Sequence, residues 1–327
     1  MWWKERRVNE TADSAVDGFE PNRGRLFGIA YRMLGSRAEA EDLVQEAYVR
    51  WHQTDREAIR NAEAWLVTTT TRLAIDRLRA LKTERESYVG PWLPEPMMRD
   101  TLPPPDRHLE LASDLSMAFM VLLERLGADE RAAFLLHEVF EFDYREIATV
   151  LEKSEDACRQ MVHRARTRVR NERKRFEVAE SAKAALLRKF TEAVSARDQQ
   201  TLLALFAPEA TWTADGGGRP GAGTRPIVGA EKIVRLVLAL GERLKSDPST
   251  IELVEVNGET GLCVRTGGVI TAVISILSDG ERIHDVFAVV NPDKLTSHQS
   301  AVVSQQSQST DQSSVGSRFI DAIKKSD

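Results

Sequence analysis

Between Asp143 and Arg175 the chain reads DYREIATVLEKSEDACRQMVHRARTRVRNERKR: an apolar-faced segment, a tight polar break, then a densely basic segment. Asp143 and Glu146 have the spacing of a capping box that opens a first helix, and Ile147, Val150 and Leu151 give that helix one apolar face. Ser154 is an N-cap for a second helix, with Glu155 and Asp156 in its first turn, where the helix dipole favours anions. From there Cys158, Val162, Ala165 and Val169 recur at helical spacing as a buried stripe. One position round, Arg159, His163, Arg166 and Arg170 form an exposed stripe, with Gln160, Arg164, Arg168 and Arg173 nearby. A short helix, a turn and a basic helix is the helix-turn-helix layout, whose second helix enters the major groove of DNA. Arginine can pair bidentately with guanine there, and any cation can hold phosphate. A solvated basic face is the plain alternative. The turn carries Glu152 and Lys153 and no glycine, so a positive φ at that point costs roughly 1 kcal/mol.

The whole-chain charge adds nothing to this reading. The formal net charge is −5, so any nucleic-acid contact rests on local patches. A length of 327 residues suggests two to three domains. Cys158 and Cys263 fall in different predicted domains and neither has a Cys or His neighbour at metal-ligand spacing. The expectation is therefore a reducing cytoplasm, no metal and no cofactor. The N-terminal segment MWWKERRVNETADSAVDG is too charged for a signal peptide, and no stretch approaches the ~18 apolar residues of a membrane span.

Residues from about Phe19 to Tyr88 are helix-patterned. Arg25 to Leu34 is a first amphipathic helix stopped at Gly35, and Ser36 caps a second. In the second, Ala40, Leu43, Val44, Ala47, Tyr48 and Trp51 share one face, while Glu39, Asp42 and Glu46, with Gln45 beside them, lie along another. That acidic face is either solvated or a docking surface for a basic partner helix. Asn61 caps a third helix, kept through the poor helix formers Thr68 to Thr71 because Trp65, Leu66, Leu73, Ile75 and Leu78 need burial. The proline-dense run after Tyr88 reads as an extended linker in which Trp92 and Leu93 either dock into a groove or pack loosely. Helices resume from Glu110 and break at Gly127. After about Phe176 come two helices ending near Pro208, a short strand, the Gly-rich loop at Asp215, another helix and four strands with turns at Asn257-Gly258, Gly267-Gly268 and Asp279-Gly280. This is an α+β layout with an antiparallel meander. From Thr296 the tail is Ser/Gln-rich, as disordered segments are.

Three separated blocks carry a resemblance: Glu41-Asp42-Leu43-Val44-Gln45-Glu46, then Ala64-Trp65-Leu66 leading to Leu73-Ala74-Ile75-Asp76-Arg77-Leu78-Arg79, then the helix-turn-helix ending Arg164-Ala165-Arg166. Together they resemble the extracytoplasmic-function sigma factors of bacterial RNA polymerase. The Trp92-to-Pro96 linker, the loop Asp215-Gly216-Gly217-Gly218 and the segment Asn291-Pro292-Asp293-Lys294-Leu295 resemble the sigma-J-like subgroup, which has a fused C-terminal domain of the SnoaL/NTF2-like type.

The resemblance implies two all-α domains followed by an α+β cone. It implies an N-terminal arm over 1–17, sigma region 2 over 18–88, a linker over 89–110, sigma region 4 over 111–176, the SnoaL-like domain over 177–295 and the tail over 296–327. It implies core-polymerase contact (β′ clamp and β flap) through Glu39, Asp42, Gln45 and Glu46. Arg72, Asp76, Arg77 and Arg79 would hold the melted −10 strand, and Arg159, Gln160, His163, Arg164 and Arg166 would read the −35 duplex. Trp92, Leu93 and Pro94, the Asp215 loop and the Asn291 segment would form a regulatory interface through which the extension acts on the sigma domains as a built-in anti-sigma device. Trp51 and Trp65 are candidates for base stacking, with buried core the better reading of their helical phase. SnoaL-like domains often enclose an apolar pocket, and a small ligand there is an open possibility. Catalysis would need an acid or base in that pocket; Asp215, His284 and Asp285 are the candidates, each with a structural reading as turn or strand residue. The alternative function is a helix-turn-helix regulator with a ligand-sensing domain.

Overall fold

In the computed structural model the described residues are 2–55, 59–98, 115–172, 178–219, 223–246 and 248–296. The chain divides into two compact units, one made of Met1–Ser87 with Pro103–Arg175, the other of Tyr88–Leu102 with Phe176–Asp327. The tail from 297 onwards, like Arg173, lies outside the described residues. Among those described, no helix is long and apolar enough to cross a membrane.

The first unit is helical: α1 (Trp2–Leu34), α2 (Arg37–Gln53), α3 (Ala62–Glu86), α4 (Met117–Leu123), α5 (Ala128–Glu138), α6 (Tyr144–Leu151) and α7 (Glu155–Glu172). Where the sequence suggested an arm and a helix starting at Arg25, a single helix starts at Trp2 and runs through Pro21. Beside that proline, Asn22 Nδ2 donates to the Gly18 carbonyl one turn back at 3.1 Å. Gly18 also lets α1 approach α2, since a Cβ there would lie 2.8 Å from the Trp51 ring. Ser36 and Asn61 cap α2 and α3 by accepting from Glu39 N and Ala64 N. Packing overrides propensity in α3, where Thr70 and Thr71 are fully buried.

A buried charge cluster ties α1 and α3 to α4 and α5. Arg131, 1 % exposed, donates to the Met33 carbonyl at 2.6 Å and to Glu124 at 2.8 Å. Arg85 bonds the same Glu124 and donates to the Leu34 carbonyl at 2.6 Å. Two arginines thus satisfy two orphan carbonyls at the C-terminal end of α1 and share one carboxylate.

The second unit begins with α8 (Glu180–Ala196) and α9 (Gln199–Leu205) and continues through β1 (Phe206–Asp215), β2 (Ile227–Val228) and α10 (Ala230–Ser246). Strands β3 (Ser249–Val256), β4 (Glu259–Thr266), β5 (Val269–Ser278) and β6 (Ile283–Val289) complete it. The sheet order is β2-β1-β6-β5-β4-β3. The last four strands form the antiparallel meander read from the sequence, but β1 joins β6 in parallel, so the sheet is mixed. Strand β1 starts at Phe206, ahead of Pro208, where the sequence had extended the helix. The register shifts between Phe206 and Thr211, and that irregularity accommodates a residue with no N–H to give the ladder. Helices α8, α9 and α10 pack their apolar faces on one side of the curved sheet around Trp212, Leu262, Ile276 and Val286, an arrangement consistent with an NTF2-like cone.

Candidate functional site

The helix-turn-helix is assembled by its caps. The Asp143 carboxylate accepts from Glu146 N while Glu146 accepts from Asp143 N, completing the capping box. The turn is made at Glu152, which takes the left-handed conformation with φ 53°. Ser154 Oγ accepts from Ala157 N at 3.2 Å and starts α7. Cys158, Val162, Ala165 and Val169 are buried, and burial raises the Cys158 thiol pKa, which suits a packing residue. Arg159, Gln160 and His163 are exposed on the opposite face. Arg159 is held over the Tyr144 ring at 5.2 Å and paired with Asp156 and Glu155 of its own helix. Arg166 bonds Glu138, and that hydrogen bond raises its pKa. Arg164 lies apart from the outward group, drawn with Arg168 onto Glu130 of α5 at 3.0 and 2.9 Å. The side chain of Arg170 lies outside the described ones.

On α2, Asp42, Gln45 and Glu46 are exposed together, with Val49 exposed beside them. Glu39 does not join them. It turns into a bidentate bond with Arg77 at 2.5 and 2.6 Å, which holds its carboxyl below the usual carboxylate range. The arginines of α3 are likewise engaged within the unit. Arg72 donates to the carbonyls of Val150 and Thr149 at the C-terminal end of α6, at 2.8 and 2.9 Å, and pairs with Glu152. Arg79 bonds Asp129 at 2.6 Å and approaches Asp76 at 3.5 Å. Unpaired carbonyls at a helix C-terminus carry partial negative charge, so Arg72 sits where a cation is most favoured. Trp51 is buried in the core, and Trp65, half-buried, packs on it at a 5.5 Å centroid distance.

In the second unit the segment after α3 is extended and clamped. Asp215 is fully buried and accepts from Tyr88 Oη, from Leu93 N at 2.8 Å and from Gly217 N at 3.1 Å, and it pairs with Lys294 Nζ at 2.7 Å. Burial and the Asp215 acceptor both push the Tyr88 phenol up. Lys294 also donates to the Leu93 carbonyl and stands 3.9 Å over the Trp92 ring. Asn291 Nδ2 donates to Tyr88 Oη at 3.0 Å. Gly217, at φ 63°, is strained for any other residue, and a Cβ there would lie 2.7 Å from the Asn291 amide and displace it. Further along, Met97 N and O both bond Asn257, and Met98 bridges Val256. Pro91, Pro94 and Pro96 have no N–H to give, so the donors at Leu93 and Met97 carry the docking. Leu295 is buried, whereas Asp293 is exposed near Arg219. Tyr88 and Asn257 were not singled out in the sequence; Asn257 reads there only as a turn residue.

The three candidate catalytic residues are dispersed. Asp215 serves the clamp, Asp285 bonds Thr211 across β1 and β6, and His284 Nε2 bonds Asp279 at 2.8 Å in the β5–β6 turn. Burial raises the Asp279 pKa, but the hydrogen bonds from His284 and from the amides of Arg282 and Glu281 outweigh it and bring it down to about 2. Because the folded value is depressed, this turn contributes stability above the ordinary Asp range and loses it as pH falls through about 2. Asp279→Asn is expected to cost about 1 kcal/mol at neutral pH after solvent screening. In urea denaturation curves the difference from the parent should vanish towards pH 2.

The Sigma-70 region 2 family model matches residues 19–84, and the Sigma-70, region 4 model matches residues 116–169. The chain is 36% identical over 298 residues to the ECF RNA polymerase sigma factor SigJ of Mycobacterium tuberculosis, covering 86% of this chain and 93% of that protein. The chain belongs to the ECF RNA polymerase sigma factors. It is also 29% identical over 286 residues to the probable ECF sigma factor SigI of the same species, covering 86% and 95%. The crystal structure of M. tuberculosis SigJ superposes with a TM-score of 0.69 at 34% identity, covering 86% of this chain and 98% of that one. Region 2 of this sigma factor therefore comprises the latter part of α1 with α2 and α3, and region 4 comprises α4 to α7.

Proposed function

We propose that this sigma factor binds core RNA polymerase through the exposed face of α2 and directs it to promoters whose −35 duplex is read by α7 and whose −10 strand is held by α3. The observation that carries the reading is the pairing of two outward faces of opposite character. One is acidic with an apolar neighbour at Asp42, Gln45, Glu46 and Val49; the other is basic and polar at Arg159, Gln160 and His163. Glu46 pairs with Arg50 and Arg159 with Glu155 and Asp156 of their own helices, so both faces stay at the surface, where they suit an outside partner.

Replacing Asp42, Gln45 and Glu46 together by alanine is expected to weaken capture of core polymerase at least about tenfold, because the loss falls on an interface centre. Thermal melting should hardly change, since exposed positions of this kind shift stability by about 0.5 kcal/mol or less each. Unchanged polymerase affinity would favour a plain helix-turn-helix regulator instead.

The arrangement of region 2 on region 4 supports a closed resting state. Arg72 and Arg79 cannot hold phosphates while they hold the end of α6 and Asp129. Promoter engagement then requires α3 to leave α6 and α5. The clamp on residues 88–98 supports a regulatory role for the C-terminal unit, since it grips the chain directly after α3 and so limits the slack available for that separation. The dispersed Asp215, His284 and Asp285 favour regulation over catalysis.

A further inference from the structure

The cone of the second unit holds a cavity of about 410 Å³, within the range of about 300–1,000 Å³ typical of small-molecule sites. Its walls are Phe190 and Val194 of α8, Leu236 and Leu240 of α10, and sheet residues such as Trp212 and Ile274. No Asp, Glu, His, Cys, Lys, Ser or Tyr lies among the described lining residues. The hydroxyls of its two threonines are already bonded to backbone carbonyls, Thr191 to Arg188 and Thr271 to Val264. Among the described lining residues the one charged group is Arg225, an exposed residue just before β2 that makes no ion pair with any described residue. Ile251, an apolar residue left 37 % exposed, also lines the cavity. An interior with no acid or base can bind but has nothing with which to move a proton.

We propose that this cavity is a binding site for an apolar carboxylate, its hydrocarbon or fused-ring body inside the cone and its carboxylate on Arg225. The apolar walls select the body through burial, and the lone guanidinium selects a planar anion that it can hold through two parallel N–H donors. The site lies next to the linker clamp in the chain. Ala214 and Val290 line the cavity, while their neighbours Asp215 and Asn291 hold the linker. Successive residues of a strand face opposite sides of a sheet, so Ala214 and Asp215 place ligand and linker one peptide apart.

The test is calorimetric titration of the full chain, without polymerase, using decanoate and naphthoate as probes against the alcohols of the same skeletons. Saturable one-to-one binding of at least one acid is expected, tighter than its alcohol. Arg225→Gln should weaken the acid about fivefold and leave the alcohol unchanged. Ala272→Phe, at a half-buried lining position, should abolish binding of both while the melting curve is retained. Absence of saturable binding by both acids to the folded chain would overturn the proposal, as would an Arg225→Gln variant that binds them unchanged. Because no polymerase is present, such a failure would leave the sigma reading standing, and a loss of polymerase binding would leave this site standing.

Discussion

Glu124→Ala should lower the stability of the helical unit by about 3 kcal/mol and loosen region 2 from region 4. The substitution leaves two arginines in place without their shared carboxylate. Arg131 is almost wholly buried, and burial already lowers the pKa of Arg85, with Glu124 the main influence opposing that shift. Removing one partner of a buried ion pair typically costs about 3–5 kcal/mol because the remaining charge is stranded, and the residual exposure of Glu124 places this case at the lower end. Glu124→Gln keeps an acceptor oxygen for one guanidinium and turns an NH2 donor towards the other, so it should recover only part of the loss. Urea denaturation followed by circular dichroism gives the magnitude. Amide exchange at the end of α1, beside the Met33 and Leu34 carbonyls, shows whether the junction has opened. A variant as stable as the parent would mean that the cluster does not hold the helices together.

Asp215→Ala should release the linker. Four donors converge on that carboxylate, and alanine would leave the Lys294 ammonium, 13 % exposed at its side chain, with neither its counter-ion nor water enough to replace it. The expected loss is about 3–5 kcal/mol, falling chiefly on the clamp and less on the sheet. Hydrogen exchange should show the Leu93 and Met97 amides losing protection together, while the amides of β4 and β5 stay protected. If the linker amides keep their protection, its docking rests on the buried Leu93, Met97 and Met98 side chains and the polar cluster is secondary. Lys294→Met offers a further distinction, since it removes the charge and the cation–π contact with Trp92 and leaves Asp215 buried without its cation.

Local features were readable in the sequence. The caps read at Ser36, Asn61, Asp143 and Ser154 are side chains bonding a backbone amide three residues on, so spacing reveals them. The hairpin turns at Asn257-Gly258 and Gly267-Gly268 are equally local, and the expected order of two helical regions followed by a mixed α and β unit is the one observed. What escaped is non-local. The parallel pairing of β1 with β6 joins residues more than seventy positions apart, with no local signature. The same holds for the α3 arginines. Their exposure and sign suggested free cations, but Arg72 meets the end of α6 78 positions away and Arg77 meets Glu39 38 positions away. Helical phase could show that they lie on the surface, not which acidic or carbonyl groups the fold would bring to them. Asn257 was passed over because one of its roles, the turn, explained it fully at sequence level, while its second role as partner of Met97 depends on where the linker lies.

The most direct test of the central claim is run-off transcription with purified core polymerase on promoters selected from genomic fragments of the source organism. The full chain should produce transcripts of defined length that are absent with core enzyme alone, and the triple alanine variant at Asp42, Gln45 and Glu46 should lose them while remaining folded. Removal of residues 178–327 should change their yield, since the linker would lose its clamp. A full chain that neither binds core polymerase nor produces such transcripts would contradict the account.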